Sequence, residues 1–165
     1  MLGLLQSSNY LSIFVTVFCN YINMSTIKYA LVCADDDPIV LQMLGFQLEK
    51  IIDPKVTICE FFTAPDQVLP GIDQLKEQGI ETLFLIVDYQ MPKMSGADLI
   101  RLVKGKYPQI KCLMLSGQAN AIHVDALADE NYLESFLPKP WEEGDLFQLL
   151  GPVLSLKYER NFLLP

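Results

Sequence analysis

The sequence predicts an α/β fold, a doubly wound three-layer sandwich in which a five-stranded parallel sheet is flanked by five helices. Three observations point there. Short apolar runs of strand length alternate with longer segments of helical periodicity, five times over. Most of these runs are apolar throughout, as in strands covered on both faces. The links between segments are short, which favours right-handed crossovers returning each strand parallel to the last.

The first strand is Tyr29 to Ala34, followed at once by Asp35, Asp36 and Asp37. Pro38 to Ile52 then places Val40, Met43, Leu44, Leu48 and Ile51 close to a 3.6-residue period. Pro38 suits the first helical turn, where its missing N–H costs little. Lys55 to Phe62 is the second strand, and Ala64 to Gln78 the second helix, its pattern interrupted by Pro65 and Pro70. The third strand, Thr82 to Val87, runs into Asp88. The third helix spans Ser95 to Lys106, with Ser95 as a candidate N-cap. Ile110 to Leu115, ending at Ser116, is the fourth strand, and Asn120 to Glu130 the fourth helix, with Asn120 as candidate cap. Tyr132 to Leu137 and Glu142 to Tyr158 complete the series.

A chain of 165 residues, 51% hydrophobic and 19% charged, has the composition of one globular domain. Twelve Lys and Arg oppose 20 Asp and Glu, a net charge of -8 without any basic stripe, which argues against direct nucleic-acid binding. The four cysteines, Cys19, Cys33, Cys59 and Cys112, form no C-x-x-C pair and read as free thiols in a reducing, cytoplasmic compartment. His123 is the single histidine, so a zinc site of the usual ligand types is hard to assemble, and it reads as a helix-surface residue. Met1 to Asn23 carries no charge, but its apolar stretch, Leu11 to Ile22, falls short of the ~20 residues of a membrane span. A positive n-region and a cleavage site are both missing, so a secretory signal is not expected either. Translation is expected to begin at Met24, the alternative being an extra N-terminal element for oligomer or membrane-surface contact. The expected organisation is an apolar extension at 1–23, one domain over 24–160 and a tail at 161–165, with no output domain attached.

In doubly wound sheets, ligands bind at the carboxyl ends of the strands. Those ends carry Asp35, Asp36 and Asp37 after the first strand, Asp88 after the third, Ser116 after the fourth and Lys139 after the fifth. Any one of them alone could be a helix cap or a solvated loop charge. Crowded carboxylates repel unless a cation lies between them, and hard oxygen ligands select Mg²⁺ or Mn²⁺. Asp88 would then be an oxygen nucleophile toward an incoming phosphoryl group, giving an acyl phosphate. Lys139 and the metal would supply positive charge, and Ser116 a hydrogen bond to a phosphoryl oxygen.

At this point the chain resembles the response-regulator receivers of two-component signalling. Asp35-Asp36-Asp37-Pro38 resembles their acidic D-D-x-P opening. Val87-Asp88-Tyr89-Gln90-Met91-Pro92-Lys93-Met94-Ser95-Gly96 is similar to their phosphoacceptor signature, D-x-x-M-P-x-x-x-G. Leu113 to Gly117 resembles the strand of the switch Ser/Thr, and Phe136-Leu137-Pro138-Lys139-Pro140-Trp141 the Lys-Pro motif. The resemblance covers Lys28 to Tyr158, and the ten-residue phosphoacceptor segment is its specific part. It implies a flavodoxin-like, CheY-like fold and a stand-alone phosphorelay switch that assists its own phosphorylation and dephosphorylation without being an enzyme. It further implies metal ligation by Asp35, Asp36, Asp88 and the Gln90 backbone carbonyl, but not by Asp37. Lys139 would contact the phosphoryl group, Lys139–Pro140 would be cis, and Ser116 and Phe136 would be the switch pair. Phe136 lacks the hydroxyl of a Tyr, and its alternative reading is a core aromatic. Trp141 is expected to pack at the start of the last helix, and Gly96 to allow tight helix packing. A histidine kinase or phosphotransfer protein would be the donor, a downstream protein the target, and a phosphorylation-dependent dimer is compatible with this.

Two alternatives compete with this reading. A haloacid dehalogenase-like phosphohydrolase would use Asp35-x-Asp37, but Ile39 stands where that pattern wants Thr or Val, and Asp88 goes unexplained. An unphosphorylated interaction module would leave the retained Asp, Ser and Lys set without a purpose.

Overall fold

The computed structural model describes residues 26–117 and 132–162. Five strands, β1 (Tyr29–Ala34), β2 (Thr57–Phe62), β3 (Glu81–Asp88), β4 (Lys111–Ser116) and β5 (Ser135–Pro138), form one parallel sheet in the order β2-β1-β3-β4-β5. The described helices are α1 (Pro38–Leu48), α2 (Val68–Glu77), α3 (Gly96–Lys106) and α4 (Glu143–Phe162), with a 3₁₀ turn at Pro65–Gln67. The sheet is wound outward from β1 to β2 and then, in the other direction, through β3, β4 and β5. The order therefore reverses between β1 and β3, the place where doubly wound folds bind ligands.

Strand side chains alternate between two apolar layers. Ala30, Val32, Ala34, Leu85, Val87 and Met114 pack with Ile72 of α2 and Ile100 and Val103 of α3. Leu31, Cys33, Phe84, Ile86 and Leu115 pack with Leu41 and Leu44 of α1 and Leu146 and Leu150 of α4. Every residue of β1 is buried, which accounts for its unbroken apolar run. The alternation slips once: Ala30 pairs with Thr82 but Leu31 pairs with Phe84, leaving Leu83 as an extra residue in β3. Leu83 and Phe84 consequently join the same apolar layer.

The element boundaries move for identifiable reasons. Helix α1 stops at Leu48, short of the expected Ile52, because Pro54 excludes helical geometry just ahead. The Asp53 carbonyl then accepts from Val56 and Thr57 N–H, and its side chain from Lys55 N–H, so β2 begins two residues later than expected. Pro65 opens the 3₁₀ turn, and Pro70 sits in the first turn of α2, where no intrahelical donor is needed. Gly79, at φ +77°, ends that helix in the left-handed region. Strand β3 is longer by one residue at each end, β4 runs from Lys111 to Ser116, and β5 is shorter, starting at Ser135. Helix α4 begins one residue late and continues past Tyr158 to Phe162 with Pro152 inside it. The expected helix at Asn120 to Glu130, the 1–23 segment, Cys19 and His123 lie outside the described residues.

Cys33 and Cys112 are buried free thiols and Cys59 is half-buried. Burial pushes Cys59 and Cys112 up to about 12 and raises Cys33 well above the ordinary thiol value, so none is poised as a nucleophile. Among the described residues no helix is long and apolar enough to cross a membrane.

Candidate functional site

The loops after β1 and β3 bring the predicted carboxylates together. Oxygens of Asp35, Asp36 and Asp88 lie within 4.8 Å of one another. The three are not equivalent: Asp35 and Asp88 are buried, at 1% and 6% exposure, whereas Asp36 faces solvent. Asp35 Oδ1 accepts the Asp37 N–H at 2.9 Å, and Asp88 Oδ2 accepts the Gln90 N–H at 2.8 Å, so backbone amides orient both side chains. Asp37 faces a different task. As N-cap of α1 it accepts the Ile39 N–H at 2.8 Å, leaving it a helix cap and removing the basis for an Asp35-x-Asp37 catalytic pair.

Lys139 closes the site from β5. Its ammonium lies 2.7 Å from Asp35 Oδ2 and 2.7 Å from Asp88 Oδ1. The Lys139 N–H donates to the Ser116 carbonyl at 2.8 Å, and the following Lys139–Pro140 bond is cis. Burial alone would lower the lysine pKa, but hydrogen bonds and charge from Asp35 and Asp88 outweigh it and raise the value. For Asp35 burial wins, with Asp88 adding to it, against the pull of Lys139 and the Asp37 amide, and its pKa is raised. Both values rise, favouring the charged lysine but the neutral acid, because Lys139 meets two carboxylates, whereas Asp35 is buried and meets one ammonium and the neighbouring acid. Three carboxylates against one ammonium leave two negative charges uncompensated in an all-oxygen donor set, which fits a hard dication such as Mg²⁺.

Ser116 ends β4 and is buried; its hydroxyl donates to the Gly117 carbonyl at 2.9 Å. Phe136, paired with Met114 in the sheet, is half-buried and packs against the apolar layer under α2 and α3. Gly96 starts α3 directly against the end of β3. A Cβ there would lie 2.2 Å from the Asp88 carbonyl oxygen, and the Gly96 N–H donates to the Tyr89 carbonyl at 2.9 Å. Lys93, in the same loop, has φ +71°. Trp141 anchors the approach to α4 by donating its Nε1–H to Gln47 Oε1 of α1 at 2.7 Å. The sequence reading missed the double pairing of Lys139, although the crowding of acids it identified implies a counter-charge. It also missed Gln47, for which nothing in the local pattern gives a signal.

The response regulator receiver domain profile matches residues 31–151. The chain belongs to the response-regulator receiver family. Two Arabidopsis thaliana two-component response regulators are similar to it: ARR6, 27% identical over 132 residues, covering 76% of this chain and 70% of its own, and ARR5, 27% identical over 147 residues, covering 85% and 78%. A third relative from the same plant, ARR13, is 26% identical over 145 residues, and there this chain spans 86% of its own length but only 23% of the relative's. A solved receiver domain from Clostridium thermocellum superposes with a TM-score of 0.66 at 22% identity, covering 79% of this chain and 97% of that one, which shows the shared fold. Receivers of this family are phosphoacceptor switches in phosphorelay signalling that interact with histidine kinases or phosphotransfer proteins.

Proposed function

We propose that the Asp88 carboxylate accepts a phosphoryl group from a phosphohistidine of a kinase or phosphotransfer protein and that the resulting acyl phosphate alters partner binding. Metal ligation is assigned to Asp35, Asp36, Asp88 and the backbone carbonyl of Gln90. The observation that carries this reading is the cluster of three carboxylates within 4.8 Å, with the Lys139 ammonium 2.7 Å from two of them. In the transfer an Asp88 oxygen forms the O–P bond, the donor N–P bond breaks and the released imidazole takes up a proton. A bound dication would neutralise charge on the phosphoryl oxygens. Lys139 keeps an ammonium against the attacking carboxylate and has one donor left for a phosphoryl oxygen. Ser116 can turn its hydroxyl inward at the cost of one hydrogen bond to Gly117, about 1 kcal/mol. Phe136 would then repack against the vacated space and change the surface beside β5. The net negative charge and the absence of a membrane-crossing helix among the described residues are compatible with a cytoplasmic switch.

Intact-protein mass after incubation with acetyl phosphate and Mg²⁺ tests the reading. One added phosphoryl group is expected, lost in Asp88→Asn and with EDTA. No adduct, and no phosphate release above the protein-free rate, would support the unphosphorylated-module alternative instead.

A further inference from the structure

About 20 Å along β3 from Asp88, taking six residues at the usual strand rise, a groove of ≈ 270 Å³ opens at the other end of the sheet, between α2 and α3. We propose that this groove is a second binding site, for a small carboxylate with an apolar body of about the size of benzoate.

Its walls are apolar: Ile72 from α2, Ile80 and Ile110 from the adjoining strand starts, and the ring of Tyr107. Four polar side chains interrupt them: Glu81, whose carboxylate is held by Lys157, Gln109, and two that can meet a carboxylate. The first of these two is the Lys76 ammonium, 5.1 Å from the centroid of the Tyr107 ring. The surrounding charges are matched, Lys106 with Asp73 at 2.8 Å and Lys157 with Glu81 at 2.6 Å, whereas no ion pair to Lys76 occurs among the described residues. The second is Thr82. Its Oγ1 is the one buried side-chain nitrogen or oxygen among the described residues with no hydrogen-bond partner. Buried hydroxyls are normally satisfied, so an orphan at the lining of a groove calls for an acceptor or donor from outside.

The β-bulge explains why a polar side chain lies here. In a strand alternating regularly through Leu83, without the bulge, Thr82 would share the face of Phe84 and Ile86, under α1 and α4. With it, Thr82 turns to the α2–α3 side and lines the groove. One χ1 rotation exchanges its methyl and hydroxyl, presenting the donor to the opening. A carboxylate answers both groups: it accepts from the ammonium at the rim and from the hydroxyl in the floor, while its hydrocarbon body covers the isoleucines. The groove lies just below the usual range of drug-sized pockets, a size that suits a small acid. None of this depends on phosphorylation of Asp88.

Amide ¹H–¹⁵N spectra of the full chain, titrated with benzoate, benzyl alcohol and acetate, test the proposal. Saturable shifts centred on Ile72, Lys76, Ile80, Tyr107 and Ile110 are expected with benzoate, roughly tenfold weaker binding of benzyl alcohol, as for loss of a charge-assisted hydrogen bond, and none of acetate. Lys76→Met, an exposed change, should reduce benzoate to the level of benzyl alcohol, and the near-isosteric Thr82→Val should weaken both. Non-saturating shifts, shifts centred elsewhere, or undiminished benzoate binding by Lys76→Met would each overturn it.

Discussion

Replacing Gly96 by Ala probes the tightest contact in the loop that follows β3. The new Cβ would stand 2.2 Å from the Asp88 carbonyl oxygen, 3.0 Å from its carbon and 3.1 Å from Tyr89 Cα. Backbone, not a flexible side chain, blocks it, so the first turn of α3 must withdraw by about 1 Å to reach ordinary contact. Overpacking of this kind costs about 1–3 kcal/mol, and stretching the Gly96–Tyr89 hydrogen bond adds about 1 kcal/mol. The conformational gain of Ala over Gly returns less than about 1 kcal/mol, leaving a net loss near 2 kcal/mol. Because the displaced atoms belong to Asp88 itself, phosphoryl incorporation should slow along with the loss of stability. Gly105→Ala is the control. It lies in the same helix with nothing within 4 Å of its Cβ, and it should be neutral or stabilising by up to about 1 kcal/mol. Urea denaturation and timed mass spectrometry with acetyl phosphate give both readouts. Equal stability of the two variants, with unchanged incorporation in Gly96→Ala, would refute the close-approach reasoning.

Lys139→Met leaves the buried Asp35 and Asp88 without their shared ammonium and should cost about 3 kcal/mol in metal-free buffer; millimolar Mg²⁺ should recover part of it, as urea midpoints with and without metal would show. Trp141→Phe removes the Nε1–H to Gln47 and should cost about 1 kcal/mol in thermal unfolding while leaving phosphorylation intact. Hydrogen bonds from Lys106 and then Tyr107 hold Asp73 below the usual carboxylate range. Its folded value thus lies below the unfolded one, so this tie stabilises above the ordinary carboxylate value and is lost as pH falls through the lowered one. Asp73→Asn should flatten that acid limb of the stability curve, most visibly at low salt.

The site was legible because chemistry-bearing residues directly follow apolar runs. Asp35, Asp88, Ser116 and Lys139 could be placed at strand ends from periodicity alone, and the winding rule for α/β sheets brings those ends to one rim. What periodicity hides is shape within a run. Thr82 to Val87 reads as one continuous apolar strand, so the bulge at Leu83, and with it the direction of Thr82, leaves no trace in the pattern. Boundaries shifted where a proline acts at a distance, as Pro54 does on α1, or is harmless in a first turn, as Pro70 is in α2. Residue types also could not separate the buried Asp35 from its exposed neighbour Asp36, nor link Trp141 to Gln47, 94 residues away.

Borohydride trapping of the acyl phosphate tests the central claim most directly. After reaction with acetyl phosphate and Mg²⁺, reduction converts a phosphorylated aspartate into homoserine, and peptide mass mapping locates it. Homoserine at position 88 alone is the predicted result. Homoserine at position 35 or 36 instead, or incorporation that persists in Asp88→Asn, would contradict the assignment of Asp88 as the phosphoryl acceptor.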